Sequence, residues 1–189
     1  MSVGVPDPKR EPVYFQTSDA VAIREATRAV SGVTLTRGRL VFGGHPAISP
    51  LVLAVAESLQ ATDRLEVFQS EFFRAQAPPE AVAFRGVRWT EAVDGDPVSS
   101  LQLMRNRMID SGPFSAAVFL GGMKGVEDEF DLFRRLRPGV PVFPVASTGG
   151  AAARILDRYQ HELNLTVVIA RELRQTMVYG DLFERILKA

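Results

Sequence analysis

Glu129 is the residue whose position most invites chemistry. It stands in Val126 to Arg137, where Val126, Phe130, Phe133 and Leu136 recur at helical spacing. At about 100° per residue its side chain falls inside that apolar stripe, whereas Glu127, Asp128 and Asp131 fall on the solvent side. A carboxylate turned inward near a helix N-terminus is costly unless it is paired, hydrogen-bonded or in contact with a ligand. Two readings stay open for it: a structural one, in which it caps a neighbouring loop or snorkels to water, and work on a ligand as a base or electrostatic partner.

Two arginines and a histidine are the other polar candidates. The stretch Pro97 to Ser111 carries Leu101, Met104 and Met108 as its stripe, with Arg105 inside the sector and Arg107 at its flank. Either can reach a pocket, and either can simply lay its stem on the surface. His45 follows a glycine pair, where it can donate to a ligand, act as an acid or only orient Pro46.

Small and polar residues also close the expected strands: Thr17 and Ser18, Gly43 and Gly44, Gln69 and Ser70, Gly121 and Gly122 with Gly125, and Ser147, Thr148, Gly149 and Gly150. In a parallel sheet such turns gather at the carboxyl edge, where helix N-termini and glycine turns offer N–H groups to an anion. Convergence on one ligand is the expectation, although any βα protein needs glycine and serine at its turns. G-x-G-x-x-G after the first strand, the P-loop pattern and the serine-hydrolase elbow are all absent.

The elements that position these residues follow from short apolar runs alternating with helix-periodic stretches, the pattern of βα units around a parallel sheet. Strands are expected at Val13–Gln16, Arg39–Phe42, Leu65–Phe68, Val87–Thr90, Ser115–Leu120 and Val140–Ala146, the last at an edge or stopping early because of Pro144. A long irregular stretch runs through Pro78 and Pro79. Thr17 or Ser18 caps the first helix, Ser49 and Pro50 open an apolar and therefore deeply buried one, and Asp96 and Pro97 open the arginine helix. Leu163 to Ala189 shows no strand and ends in a helix from Asp181. The fold class is thus α/β, a Rossmann-like three-layer sandwich with a mainly parallel sheet, made of an N-terminal extension over 1–12 and one domain over 13–189.

Composition narrows the chemistry. The 189 residues hold 22 Lys plus Arg against 22 Asp plus Glu, two His, no Cys and 46% apolar residues. Zero net charge argues against nucleic acid as a partner. Without cysteine there is no disulfide, thiolate zinc site or cysteine nucleophile, and two histidines make a metal site a poor expectation. The first twelve residues lack the apolar core of a signal peptide, and no run of about 18 apolar residues spans a membrane. A cytoplasmic protein with neither metal nor cofactor is expected.

Met104-Arg105-Asn106-Arg107-Met108 and Leu120-Gly121-Gly122-Met123-Lys124-Gly125-Val126-Glu127-Asp128-Glu129 together resemble the paired motifs of the Lonely Guy phosphoribohydrolases, M-x-x-R-K and P-G-G-x-G-T-x-x-E. Phe42-Gly43-Gly44 is similar to that family's earlier glycine turn. The resemblance spans Val13 to Leu156 and implies membership of the wider SLOG superfamily of Rossmann-like domains, which includes DprA proteins and the N-terminal region of TRPM channels. Val41-Phe42-Gly43-Gly44-His45-Pro46 with Ile48 looks closest to the prokaryotic TRPM-like branch.

What the resemblance implies is a nucleotide-derived small-molecule ligand such as ADP-ribose, and a homodimer. It gives Arg107 and Glu129 the catalytic places, with Arg105 kept as a second ligand contact. Met108 stands for the motif lysine, Leu120 for the proline and Val126 for the threonine, and one residue is inserted between Gly122 and Gly125. Losing the lysine and threonine removes a charge and a hydroxyl near the expected phosphate. A binding or sensor module is therefore the first expectation, an N-glycoside hydrolase the second, and a structural partner domain with a degenerate pocket the third.

Overall fold

The computed structural model describes residues 1–77 and 86–187. Its six strands among those residues are β1 Ser2–Gly4, β2 Leu40–Gly43, β3 Leu65–Ser70, β4 Val87–Thr90, β5 Ala117–Gly121 and β6 Val142–Val145. They form two three-stranded halves, β1-β5-β6 and β2-β3-β4, in which every pairing is parallel. The halves meet where β1 lies beside β2, the Met1 amino group donating to Val41 O at 2.8 Å.

Helices cover both faces: α1 Pro12–Phe15, α2 Ala20–Arg37, α3 Ser49–Ser58, α4 Pro97–Ile109, α5 Lys124–Leu136, α6 Gly150–Tyr159, α7 Val167–Gln175 and α8 Tyr179–Ile186. All five residues of β5 are buried, as a strand covered on both faces requires. Its alternation sorts the two cores. Val118 and Leu120 join Ile23 and Val30 of α2 and Phe183 of α8, whereas Phe119 joins Met104 and Met108 of α4, Phe130 of α5 and Ile155 of α6. The result is a Rossmann-like open α/β sandwich.

Several local expectations change. Val13 to Gln16 is no strand: Pro12 opens the short helix α1, which buries Tyr14. The sheet's first strand is Ser2–Gly4 instead, inside the segment expected to be an extension, and it pairs residue for residue with Phe119–Gly121. Asp19, not Thr17 or Ser18, caps α2, its carboxylate accepting from Val21 N and Ala22 N. Ser49 is the first residue of α3 and Ile48 its cap. That helix is only half buried, since it lies on α2 with Val52 and Ala56 inward and Ala54 exposed. Glu127 leaves the solvent side to pair with Arg154 at 3.1 Å. The C-terminal part adds α7 to the expected last helix. Asp96 caps α4 through Ser99 N at 2.6 Å, and β6 is a short edge strand, both as expected. Pro78 and Pro79 lie outside the described residues.

Candidate functional site

A cavity of about 400 Å³ opens at the carboxyl edge of the sheet, between the two halves. Such a volume is in the range of small-molecule sites. Its floor is the end of β1, at Val3 and Gly4, and the turn after β2, at Gly43, Gly44 and His45. Gln69 from the end of β3 and Phe73 from the following turn close one side. Leu101, Met104 and Arg105 of α4 face Gly125, Val126 and Glu129 of α5 across the other.

The charged centre is the pair Arg105 and Glu129. Arg105 Nε donates to Glu129 Oε1 at 3.3 Å, both side chains are 15% exposed, and Asp128 Oδ2 lies 3.8 Å from the same guanidinium. Gly125 makes room for it, because a Cβ there would stand 2.7 Å from an Arg105 terminal nitrogen. Pairing offsets part of the cost of turning Glu129 inward, beside the cavity that both residues line.

His45 forms the opposite end. Its Nδ1 accepts from Ala47 N at 3.2 Å, which leaves the proton on Nε2 as a donor. Burial, helped by the charge of Arg10, holds its pKa below the ordinary histidine range, so the ring is neutral at neutral pH. Gln69 lies flat against Gly44, where a Cβ would overlap its amide, and that amide makes no hydrogen bond among the described residues.

The structure therefore gathers Gly43, Gly44, His45, Gln69, Arg105, Gly125 and Glu129 around one cavity, and leaves the other candidates outside its lining. Arg107 is exposed on α4. The helix turns Met104 and Met108 onto the sheet and Arg105 toward α5, which points Arg107 to solvent, so Arg105 is the α4 arginine that lines the cavity. Ser70 is buried and accepts from Phe72 N. Thr17 and Ser18 donate back to Tyr14 O. Gly121, Gly122, Thr148, Gly149 and Gly150 belong to a dense crossing of turns, in which Thr148 Oγ1 accepts from Gly121 N at 2.8 Å and Ala151 N donates to Gly122 O at 3.0 Å.

Nor do the glycine turns offer their amides to an anion as expected. Gly44 N donates to Phe68 O at 3.0 Å, His45 N to Ser49 Oγ at 3.0 Å and Gly122 N to Gly4 O at 2.8 Å. An anion at this edge would have to be met by side chains or by the first turn of α5.

Arg10 and Glu11 line the cavity too, and sequence reasoning missed them. They lie in the Pro-rich, charged segment expected to be an N-terminal extension, which the pairing of β1 with β5 brings to the site. A groove of about 600 Å³ at the opposite, amino edge has Arg37 and Arg39 among its lining and gathers none of the expected residues. No helix of the described residues is long and apolar enough to cross a membrane, and none of their His, Asp and Glu side chains form a group of three or more able to hold a metal.

The model of the SLOG cluster3 family matches residues 13–187. The match is to the family and does not reach the TRPM-like branch. No curated protein and no solved structure matches the chain.

Proposed function

This chain belongs to the SLOG cluster3 family, a nucleotide-related Rossmannoid group, and from that premise we propose that its carboxyl-edge cavity binds a nucleotide or NAD-derived small molecule resembling ADP-ribose, as a sensor. The observation that carries this reading is the convergence of Gly44, His45, Gln69, Arg105 and Glu129, drawn from both halves of the sheet, on one cavity of about 400 Å³. Phe73, Leu101 and Met104 supply apolar surface for a base, while His45 and Gln69 supply hydrogen bonds without charge. No cofactor is invoked. Homodimer assembly is part of the same reading, and sedimentation checks it.

The Arg105 and Glu129 pair favours a second reading, N-glycoside hydrolysis. Breaking a bond from ribose to a base builds positive charge on the sugar, which an ionised Glu129 stabilises while it takes a proton from the attacking water. The base leaves with its electron pair and picks up a proton. In this version Arg105 replaces Arg107 as the supporting arginine.

Incubation with AMP, NAD and ADP-ribose, read by thermal shift and by chromatography for free base, separates the readings. A raised melting temperature with ADP-ribose and no released base is the expected result. Base release that disappears in Glu129→Ala assigns the enzyme instead. No response to any of the three leaves a structural partner domain.

A further inference from the structure

The cavity holds its own anion. Glu11 lines it, and Glu11 Oε2 accepts from Lys124 N, the first helical residue of α5, at 3.2 Å. This is where a helix stabilises negative charge, and the nearby turn amides of Gly44, His45 and Gly122 are already used within the fold. A ligand phosphate entering this end must therefore compete with Glu11.

The segment that carries Glu11 is lightly fastened. Between buried Pro6 and buried Tyr14, Asp7 N donates to Met123 Sδ at 3.5 Å, and Arg10 N and Glu11 N both donate to Asp7 O at 3.2 Å. Pro8, Lys9 and Arg10 are exposed. Tyr14 is the firm end, its ring under the Arg154 guanidinium at 5.1 Å. Arg10 also faces the cavity, and it forms no ion pair among the described residues. One strap thus carries the carboxylate that holds the anion position and a cation free to meet an arriving anion. The strap lies outside the matched residues 13–187, so the device is not a feature of that match.

We propose that Glu11 is an intramolecular competitor for the ligand's phosphate, so that the cavity selects ligands whose anionic end displaces Glu11 from Lys124 and takes up Arg10 in its place. The proposal rests on the cavity being the nucleotide site. It makes neighbouring residues act with opposite signs: Glu11 weakens binding of phosphate-bearing ligands, and Arg10 strengthens it.

Calorimetry on the full chain, with ADP-ribose, adenosine and inorganic pyrophosphate as probes, tests it. Glu11→Gln keeps an acceptor for Lys124 N, and its fold is checked by circular dichroism. The expected result is binding of ADP-ribose and pyrophosphate tightened by about tenfold in Glu11→Gln and weakened by about tenfold in Arg10→Gln, with adenosine unchanged in both. Amide exchange at Lys124 speeds up in Glu11→Ala and slows again with pyrophosphate. Equal or weaker anion binding by Glu11→Gln overturns the proposal. Pyrophosphate that binds Glu11→Gln tightly while ADP-ribose binds neither protein leaves the competition standing and removes the nucleotide reading.

Discussion

Arg105 and Glu129 meet across two helices, guanidinium to carboxylate at 3.3 Å, and each is only 15% exposed. Neither helix makes this contact from local preference. It exists because α4 lies on β2, β3 and β4, α5 lies on β1 and β5, and the two helices meet where the halves of the sheet join, each turning one side chain toward the gap between them. A pair so enclosed is costly to break from one side, since the remaining charge loses its partner and regains little water.

Arg105→Ala is accordingly expected to lower the unfolding free energy by about 1–3 kcal/mol and to abolish the thermal response to ADP-ribose. Arg107→Ala, on the exposed face, is expected to change stability by less than about 0.5 kcal/mol and to leave the response intact. Urea unfolding and thermal shift on both variants check this. Loss of response in Arg107→Ala alone would return the site arginine to the place that the motif resemblance implied.

The glycines divide into two groups that substitution can tell apart. Gly149 has φ +72° and ψ −158°, a region closed to side chains, and its Cβ would run into Thr17 O. Gly149→Ala is expected to cost about 3 kcal/mol or more. Gly44 carries no such dihedral, and the atoms nearest its Cβ would all belong to the flexible Gln69 side chain. Gly44→Ala should therefore fold within about 1 kcal/mol of the parent and lose ligand binding as Gln69 is pushed aside. Denaturation midpoints together with binding isotherms separate the two.

Thr148 ties the turn crossing together. Its fully buried Oγ1 accepts from Gly121 N at 2.8 Å and donates to Val145 O at 2.6 Å. Thr148→Val keeps the shape and removes both bonds, leaving two buried backbone groups without that partner. A loss of about 1–3 kcal/mol in urea is expected, with cavity binding retained.

His45 gives the stability a pH dependence of known sign. Its pKa in the fold lies below the unfolded value of about 6.5, so the unfolded chain binds a proton that the fold resists. Its contribution is fully present above 6.5 and is lost as pH falls from there through the folded pKa. Denaturation midpoints between pH 8 and 5 should fall less steeply in His45→Asn than in the parent. Arg10→Gln removes the smaller cause and should move the imidazole titration, followed by NMR, back toward its ordinary value.

β5 was legible because a buried parallel strand writes a continuous apolar run, and it lies inside its expected stretch but for Gly121; the half-exposed edge strand Val87 to Thr90 agrees to the residue. Ser2–Gly4 was not legible. Three residues show no period, and they become a strand only because β5 offers an edge more than a hundred residues further along the chain. Glu129 was readable from its wheel, since an acid inside an apolar stripe is a visible conflict. Arg105, which lines the cavity, stood out on its wheel as a charge inside an apolar stripe, whereas Arg107, the position the motif resemblance implied, lies exposed on the same helix. The glycine turns misled in another way. Their composition signals tight turns, but whether an N–H is free depends on which neighbour accepts it, and Phe68 O, Ser49 Oγ and Gly4 O lie in other parts of the chain.

The pairing of Ser2 with Phe119 also sets a schedule. Strands β2, β3 and β4 adjoin one another in order and can assemble from nearby chain, whereas β1 leaves the ribosome first and has no strand to pair with until β5 has followed. Closing so long a loop is slow compared with forming local structure. During synthesis the cavity is completed only once β5 and α5 have followed, and a chain cut short before β5 keeps the glycine turn and His45 but lacks both Glu129 and the strand that seats Val3 and Gly4 beside that turn.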